Sequence, residues 1–185
     1  MAIKILGIAG SLRKASFNKS ALKAAQGLVP AGATLEVLEL PDLPGFNQDQ
    51  EKSPPAAVVD MKAKIRAADA ILLVTPEYNY SIPGVFKNAI DWCARPYGDS
   101  AWKGKPAAIM GASAGVLGTG RAQYDLRKVL VFLDMPAVNQ PEVMISAAAT
   151  KFDQSGNLTD ETAKKLIGQL LANLCELAKR YGAKE

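Results

Sequence analysis

The chain has 185 residues, of which 49% are hydrophobic, and we expect residues 1–185 to form one globular domain around a single core. Lys and Arg number 22 and Asp and Glu 18, and because the net charge of +4 is spread along the chain, no nucleic-acid partner is expected. No apolar run approaches the ~18 residues that cross a bilayer, and no signal-peptide pattern opens the chain, so we expect a cytoplasmic protein without a membrane partner.

Short apolar runs alternate with helical periods, so strands and helices are predicted in turn. In chain order we predict strand 3–9, helix 17–28, strand 34–40, helix 56–67, strand 70–74, helix 83–93, strand 107–110, helix 121–133, a fifth strand at 137–138 or 143–145, and a helix capped by Thr159 and ended by Gly182. The polar loop at residues 41–55 is the best candidate for a mobile rim.

The order of these elements predicts the fold class. Residues 70–74 are apolar throughout, as in a central parallel strand that is covered on both faces. Strands that alternate with helices predict an α/β fold, a doubly wound five-stranded parallel sheet with helices on both faces. Ligands of such sheets bind at the carboxyl ends of the strands, so we expect the site in the loops after strands one, three and four.

Loop 1, defined as residues 10–18, leads from the first strand into a helix N-terminus, where free N–H groups and the helix dipole favour an anion. Ser11, Ser16 and Asn18 add neutral donors and Arg13 adds a charged one, so the loop suits a phosphate monoester. Ser16 or Asn18 can also cap the helix. The loop lacks the glycine patterns of dinucleotide and P-loop sites. The alternative is an ordinary Ser-rich helix cap with Arg13 in solvent.

Loop 3 (residues 75–84) and loop 4 (residues 111–121) have compositions that suit a planar ring. In loop 3, Pro76 stiffens the exit from the strand, Tyr78 offers an aromatic face, and Asn79 can bond the edge of a heterocycle. Loop 4 consists mostly of small residues, which let a ligand approach the backbone closely. The alternatives are a turn with surface tyrosines for loop 3 and a flexible turn for loop 4.

Motifs in the three loops resemble the NADPH-dependent FMN reductase family, most closely its bacterial quinone and chromate reductases. They are G-S-L-R-x-x-S-x-N from Gly10, T-P-E-Y-N-Y-S-x-P-G-x-x-K-N-A-I-D-W from Thr75, and S-x-G-x-x-G-x-x-R from Ser113. They stand in the order and spacing of that family, and the order of elements agrees across nearly the whole chain. The resemblance implies a flavodoxin-like fold.

The resemblance also implies FMN as a non-covalent cofactor and NAD(P)H as co-substrate. The residues that match the phosphate-binding positions are Ser11, Arg13, Ser16 and Asn18. Those expected beside the isoalloxazine are Pro76, Glu77, Tyr78 and Asn79 on one side, and Ser113, Gly115 and Gly118 on the other. The family implies a homodimer or homotetramer. The contact surface between subunits is expected on the helix after loop 3, at Val85, Phe86, Ile90 and Trp92. The alternative is that these residues face the sheet.

We expect a ping-pong reaction in which NAD(P)H reduces the flavin and is then replaced by a quinone, a flavin or a metal oxyanion such as chromate. No protein acid or base is required, so no catalytic residue is assigned. Arg121 is a candidate substrate residue for an NADPH phosphate or an anionic acceptor, and the alternative is an ordinary surface arginine. Histidine is absent, so no metal site is expected, and Cys93 and Cys175 are expected as reduced core thiols.

Two other functions remain open. A flavodoxin-type electron carrier would bind FMN but oxidise little NAD(P)H by itself. Such carriers have a Ser/Thr-rich first loop that ends in Gly-Asn-Thr or similar and are usually acidic, whereas this chain has Arg13 and a net charge of +4. A protein that shuttles free FMN to other enzymes would retain the flavin weakly.

Overall fold

The strands and helices alternate as predicted in the computed structural model, which describes residues 2–182. The strands are β1 (Ile3–Ala9), β2 (Ala33–Leu38), β3 (Ala70–Val74), β4 (Ala107–Ala112) and β5 (Val143–Ile145). The helices are α1 (Phe17–Gln26), α2 (Ala56–Ala67), α3 (Gly84–Cys93), α4 (Gly120–Phe132) and α5 (Glu161–Gly182). The strands are all parallel, in the flavodoxin-like order β2-β1-β3-β4-β5, which confirms the predicted fold class.

β3 lies at the centre of the sheet, and its two faces belong to two separate cores. Ala70, Leu72 and Val74 pack with α1 and α5, whereas Ile71 and Leu73 pack with α2, α3 and α4. All five are at most 1% exposed, which explains why this strand is apolar without alternation. Burial of a Leu or Ile side chain stabilises the fold by roughly 1.5–3 kcal/mol.

The fifth strand could have been either of two short apolar segments. Residues 143–145 form it, because they pair with residues 110–112 of β4. The other candidate, residues 137–138, does not form a strand. Ala137 makes an isolated bridge to Ala107, at the opposite end of β4.

α5 is a helix of 22 residues that begins differently from the prediction. The Asp160 carboxylate accepts the N–H of Ala163 at 2.7 Å and so caps the helix, whereas the Thr159 hydroxyl donates to the Lys151 carbonyl at 3.1 Å. The prediction of Thr159 as the cap is therefore wrong. Gly182 is the last residue of α5 and also the last residue described, so the predicted role of Gly182 in ending the helix stays a prediction. Within residues 2–182, no helix combines the length and apolar content that a membrane crossing requires.

Two residues of the segment at 41–55, Pro44 and Phe46, are bound to α3. The Pro44 carbonyl accepts hydrogen bonds from the Asn88 amide at 2.9 Å and from the Trp92 indole N–H at 2.8 Å. The Phe46 N–H donates to Asn88 Oδ1 at 2.7 Å, and the Phe46 ring meets Trp92 edge to face. These contacts attach residues 44 and 46 to α3, and the mobile rim stays a prediction.

The apolar residues of α3 face the protein interior. Phe86, Ile90 and Trp92 are at most 2% exposed, so the expectation that they form a contact surface is wrong. Phe86 and Ile90 face the sheet, as in the alternative, whereas Trp92 contacts Pro44 and Phe46. Val85 is 42% exposed and remains available. Periodicity alone predicts that one face of α3 is apolar, but not whether that face meets the sheet or another subunit.

Both cysteines are free and buried, as expected for core thiols. Burial raises the pKa of Cys93 to about 12, against smaller opposing effects of Lys62 and Arg66. Burial also raises the pKa of Cys175. Both groups therefore stay protonated at neutral pH, where a thiol is a poor nucleophile.

Gly111 provides a test of how closely the end of β4 is packed. A Cβ at this position would overlap the Thr75 carbonyl oxygen and the Thr119 hydroxyl, so Gly111→Ala should lower the free energy of unfolding by about 1–3 kcal/mol. Gly168→Ala in α5 is the matched control, because no atom lies within 4 Å of its added Cβ. There the substitution should stabilise the protein by about 0.5–1 kcal/mol. Urea unfolding measures the change in the free energy of unfolding for both variants. If both substitutions stabilised the protein, or both destabilised it, this description of the packing at Gly111 would be contradicted.

Candidate functional site

The three predicted loops meet at one edge of the sheet. β1, β3 and β4 are adjacent and parallel, so the loops that follow them lie side by side at the carboxyl ends. Together they line a cleft of about 140 Å³. The predicted site residues that line it are Ser11, Arg13, Ser16, Asn18, Pro76, Glu77, Tyr78 and Ser113. The predicted residues that lie in the same loops but outside this lining are Asn79, Gly115, Gly118 and Arg121.

A larger cavity, of about 440 Å³, lies where α3 and α4 end, toward the opposite edge of the sheet. Its walls include Phe46, Arg95, Tyr97 and Phe132. We assign the site to the smaller cleft in spite of its size, because the cleft lies at the carboxyl ends of the strands and gathers polar groups from three loops.

Loop 1 forms the anion-binding end of the cleft. Ser16 caps α1, and its hydroxyl accepts the Lys19 N–H at 3.5 Å. The next two N–H groups, of Phe17 and Asn18, have no hydrogen-bond partner within residues 2–182 and point out of the helix N-terminus. The Arg13 guanidinium bends back over the loop and donates to the Ala15 carbonyl at 2.8 Å. Residues 10–20 contain no acidic residue, and although Lys19 is paired with Glu39 at 2.7 Å, Arg13 and Lys14 add positive charge, so this end of the cleft favours an anion.

Asn18 joins loop 1 to β4. Its amide nitrogen donates to the Ala112 carbonyl and its amide oxygen accepts the Ala112 N–H, both at 2.9 Å. Asn18 is 3% exposed, so these bonds are buried. The sequence predicted a phosphate donor here and could not show this partner, which lies 94 residues away. The main observed task of the side chain is to hold two of the three loops together.

Loop 3 ends in a tight turn that projects from the cleft wall. Tyr78 and Ser81 exchange two backbone hydrogen bonds of 3.0 Å, with Asn79 at φ 50° and Tyr80 at φ 71° between them. Positive φ at both central residues is the signature of a type I′ turn. Tyr78 borders the cleft and is 49% exposed, so one ring face is available for stacking.

The Glu77 carboxylate binds the first turn of α4. It accepts the backbone N–H groups of Arg121 at 3.0 Å and Ala122 at 3.2 Å, and the Arg121 Nε–H at 2.5 Å. The Arg121 Nη2 forms an ion pair with the same carboxylate. A carboxylate at a helix N-terminus interacts favourably with the helix dipole. The negative charge of Glu77 is therefore matched within the protein.

Arg121 also contacts the turn of loop 3. Its guanidinium lies over the Tyr80 ring, 3.6 Å from the ring centroid. Lower on α4, hydrogen bonds from the side chains of Lys128 and then Ser81 hold the pKa of Asp125 below its usual value. The turn is therefore attached to α4 through Tyr80 and Ser81.

Loop 4 is anchored to β5 and is not a free turn. Gly118 has φ 54°, and a Cβ there would lie 2.6 Å from the Met144 carbonyl carbon, so packing against β5 requires glycine at this position. The Gly115 carbonyl accepts the Ala147 N–H at 3.1 Å, and its N–H donates to the Ser113 hydroxyl at 3.1 Å. The small residues of loop 4 thus have a structural reason besides ligand approach.

Known proteins are similar to this chain in sequence and in fold. Residues 3–150 match the family described as NADPH-dependent FMN reductase. The chain is 54% identical over 173 residues to an NAD(P)H-dependent FMN reductase of Pseudomonas aeruginosa, with 93% of each chain covered. It is 47% identical over 156 residues to a quinone reductase of Pseudomonas putida, with 84% of each covered. It superposes with a TM-score of 0.88 and 37% identity on FerB, a flavoenzyme NAD(P)H:(acceptor) oxidoreductase of Paracoccus denitrificans, over 97% of this chain and 99% of that one.

Asn18→Ala tests the connection between loop 1 and β4. The change leaves the N–H and carbonyl of Ala112 buried and unpaired, so the free energy of unfolding should fall by at least ~1–3 kcal/mol. Urea unfolding of the flavin-free protein measures this without a contribution from ligand. Asn173→Ala is the matched control, because that exposed amide donates a single hydrogen bond to the Gln140 carbonyl. An equal loss in the two variants would show that Asn18 is not a buried connector.

Proposed function

Because the chain belongs to the family of NADPH-dependent FMN reductases, we propose that it passes electrons from NAD(P)H through bound FMN to quinones in a ping-pong reaction. It is an oxidoreductase with FMN as cofactor and NAD(P)H as electron donor. The observation that carries the proposal is a single cleft with a basic helix N-terminus at one end and a half-exposed tyrosine at the other.

The loop 1 end fits a phosphate monoester, which carries about two negative charges near neutral pH. The unpaired N–H groups at the start of α1 supply two backbone donors. Ser11 and Ser16 line the cleft with hydroxyls, and Arg13 supplies a charged donor. Asn18 has one amide hydrogen beyond the bond to Ala112 and completes the set that would hold the phosphate.

The loop 3 and loop 4 end fits a planar heterocycle. Pro76, Glu77, Tyr78 and Asn79 would border one side of the isoalloxazine, and Ser113, Gly115 and Gly118 the other. Among the described residues that line the cleft, Glu77 is the only acid, and its carboxylate is bound to α4. No unmatched negative charge of the lining therefore opposes reduction of the ring.

FMN, when bound, supplies the redox chemistry, taking a hydride equivalent from NAD(P)H and passing the electrons to a second substrate. The residues of the chain bind and orient the reactants, and none is required to move a proton. Within residues 2–182, the backbone N–H groups of Glu77 and Asn79 have no protein partner. They can donate to the edge of the ring, where negative charge develops on reduction.

The acceptor and the assembly are further parts of the proposal. A quinone acceptor is supported by the name of the Pseudomonas putida relative, and an open ring face would also admit free flavins and oxyanions such as chromate.

A homodimer or homotetramer is supported by large apolar side chains that α3, α4 and loop 4 expose. They are Val85, Val116, Leu117, Tyr124, Val131 and Phe132. As the donor is NAD(P)H, we place the reaction in the cytoplasm.

The visible spectrum of the protein reconstituted with FMN tests the redox function. The flavin band should bleach when NADPH is added without oxygen and return when a quinone follows. Steady-state rates at several quinone concentrations should give parallel double-reciprocal lines, as a ping-pong reaction requires. A flavin that stays yellow with NADPH and NADH would favour the electron carrier, and a protein that retains no flavin would remove the proposal.

Arg13→Gln tests the phosphate end of the cleft. The loss of a charge-assisted hydrogen bond should weaken FMN binding by about 1.5–3 kcal/mol, while binding of riboflavin, which lacks the phosphate, should be unchanged. Flavin fluorescence titration of the apoprotein measures both affinities. Lys14→Gln is the matched control, since the neighbouring Lys14 does not line the cleft. Equal weakening of FMN and riboflavin by Arg13→Gln would place Arg13 away from the phosphate.

A further inference from the structure

Glu77 lines the cleft, yet its carboxylate is directed into α4. Two backbone nitrogens and two guanidinium nitrogens surround it, and its side chain is 8% exposed. An ionised carboxylate has about four acceptor positions, so the protein itself fills the hydrogen-bonding capacity of Glu77. The Glu77 carboxylate therefore has no acceptor position left for a ligand. Any effect of this carboxylate on the cleft passes through the groups that it binds.

The partner that carries this effect back to the cleft is Arg121. Its guanidinium is held by Glu77 on one edge and covers the Tyr80 ring at 3.6 Å. Tyr80 has φ 71°, a left-handed conformation that a bulky residue adopts when its surroundings hold it there. The turn that contains Tyr78 and Asn79 is therefore in contact, through Tyr80, with the Glu77–Arg121 pair.

We propose that Glu77 is a positioning residue that, through Arg121 and Tyr80, holds the turn at residues 78–81 in the shape that receives the flavin ring. The proposal rests on the function proposed above, which places the ring beside Tyr78. It also gives Arg121 a role different from either one considered from the sequence. Its Nε and Nη2 are bound to Glu77, so this edge of the guanidinium supports the turn.

Glu77→Gln separates this role from simple filling of space. Glutamine has nearly the same size and can still accept a helix N–H, but it carries no charge, and its amide nitrogen opposes the donors of Arg121. Glu77→Gln removes the charge that holds the Arg121 guanidinium, which can turn to solvent because the Arg121 side chain is 40% exposed. Arg121 should therefore leave Tyr80, and the turn should relax, while loop 1 keeps its contacts with Ala112.

Titration of the apoprotein with FMN and with riboflavin is the test, because it measures the two ends of the cleft separately. In Glu77→Gln the dissociation constants of both flavins should rise by the same factor, about tenfold, so that the ratio of the two constants does not change. Arg13→Gln should change that ratio instead. Circular dichroism and urea unfolding of each apoprotein establish that the variants are folded when they are titrated.

Arg121→Gln breaks the same pair from its exposed side, since that side chain is 40% exposed, and it carries the test if Glu77→Gln does not fold. It should weaken both flavins to the same extent as Glu77→Gln. The double variant should lose no more than the larger single loss, because the two residues act as one unit. Asp160→Asn is the matched control. Asp160 is also a carboxylate on a helix N-terminus near a lysine, but it does not line the cleft, so flavin affinity should not change.

The outcomes separate the two proposals. If the unmodified protein binds FMN but the folded Glu77 and Arg121 variants bind both flavins within twofold of it, the positioning role is overturned and the redox function stands. Losses that multiply in the double variant, or a loss for FMN without one for riboflavin, also overturn the positioning role. If the unmodified protein binds neither flavin, the proposed function itself fails.

Discussion

The cleft exists because β1, β3 and β4 are neighbours that run in the same direction. Parallel strands end at the same edge, so loops that are far apart in sequence begin side by side. Two buried side-chain connections then hold these loops in place. Asn18 joins loop 1 to the end of β4, and Glu77 joins loop 3 to α4. The apolar sheet brings the loops together, and these polar contacts determine their relative positions.

The distribution of charge in the cleft follows from how the helix N-termini are used. The carboxylate of Glu77 occupies the N-terminus of α4, and that of Asp160 occupies the N-terminus of α5. At α1 a neutral serine is the cap, and two N–H groups stay without a protein partner within residues 2–182. The N-termini of α2 and α3 also lack an acidic cap, but among the described residues the start of α1 is the one of these three that lines the cleft, so α1 can receive an anion there. This asymmetry supports a phosphate at loop 1 and a neutral ring at loops 3 and 4.

Sequence reasoning succeeded where the signal lies within a short window of the chain. The apolar run of β3, the helical periods, and the order of strand, loop and helix all belong to this kind, and the fold class followed from them. It failed where a choice depended on partners from elsewhere. Asp160 and not Thr159 caps α5, because the Thr159 hydroxyl donates to the Lys151 carbonyl instead. Likewise, α3 packs its apolar residues against the sheet and against residues 41–55.

The sequence by itself determined the alternation of strands and helices, the loops that line the cleft, and a family resemblance that the match to the family confirms. These properties follow from local periodicity and from motifs, which need no knowledge of distant contacts. The tertiary structure alone decided what each polar side chain in those loops does. Asn18 and Glu77 each have a partner more than 40 residues away, and these hydrogen bonds hold the Asn18 amide against the end of β4 and direct the Glu77 carboxylate into α4. Folding creates these pairs, since no local pattern encodes the distance between two loops.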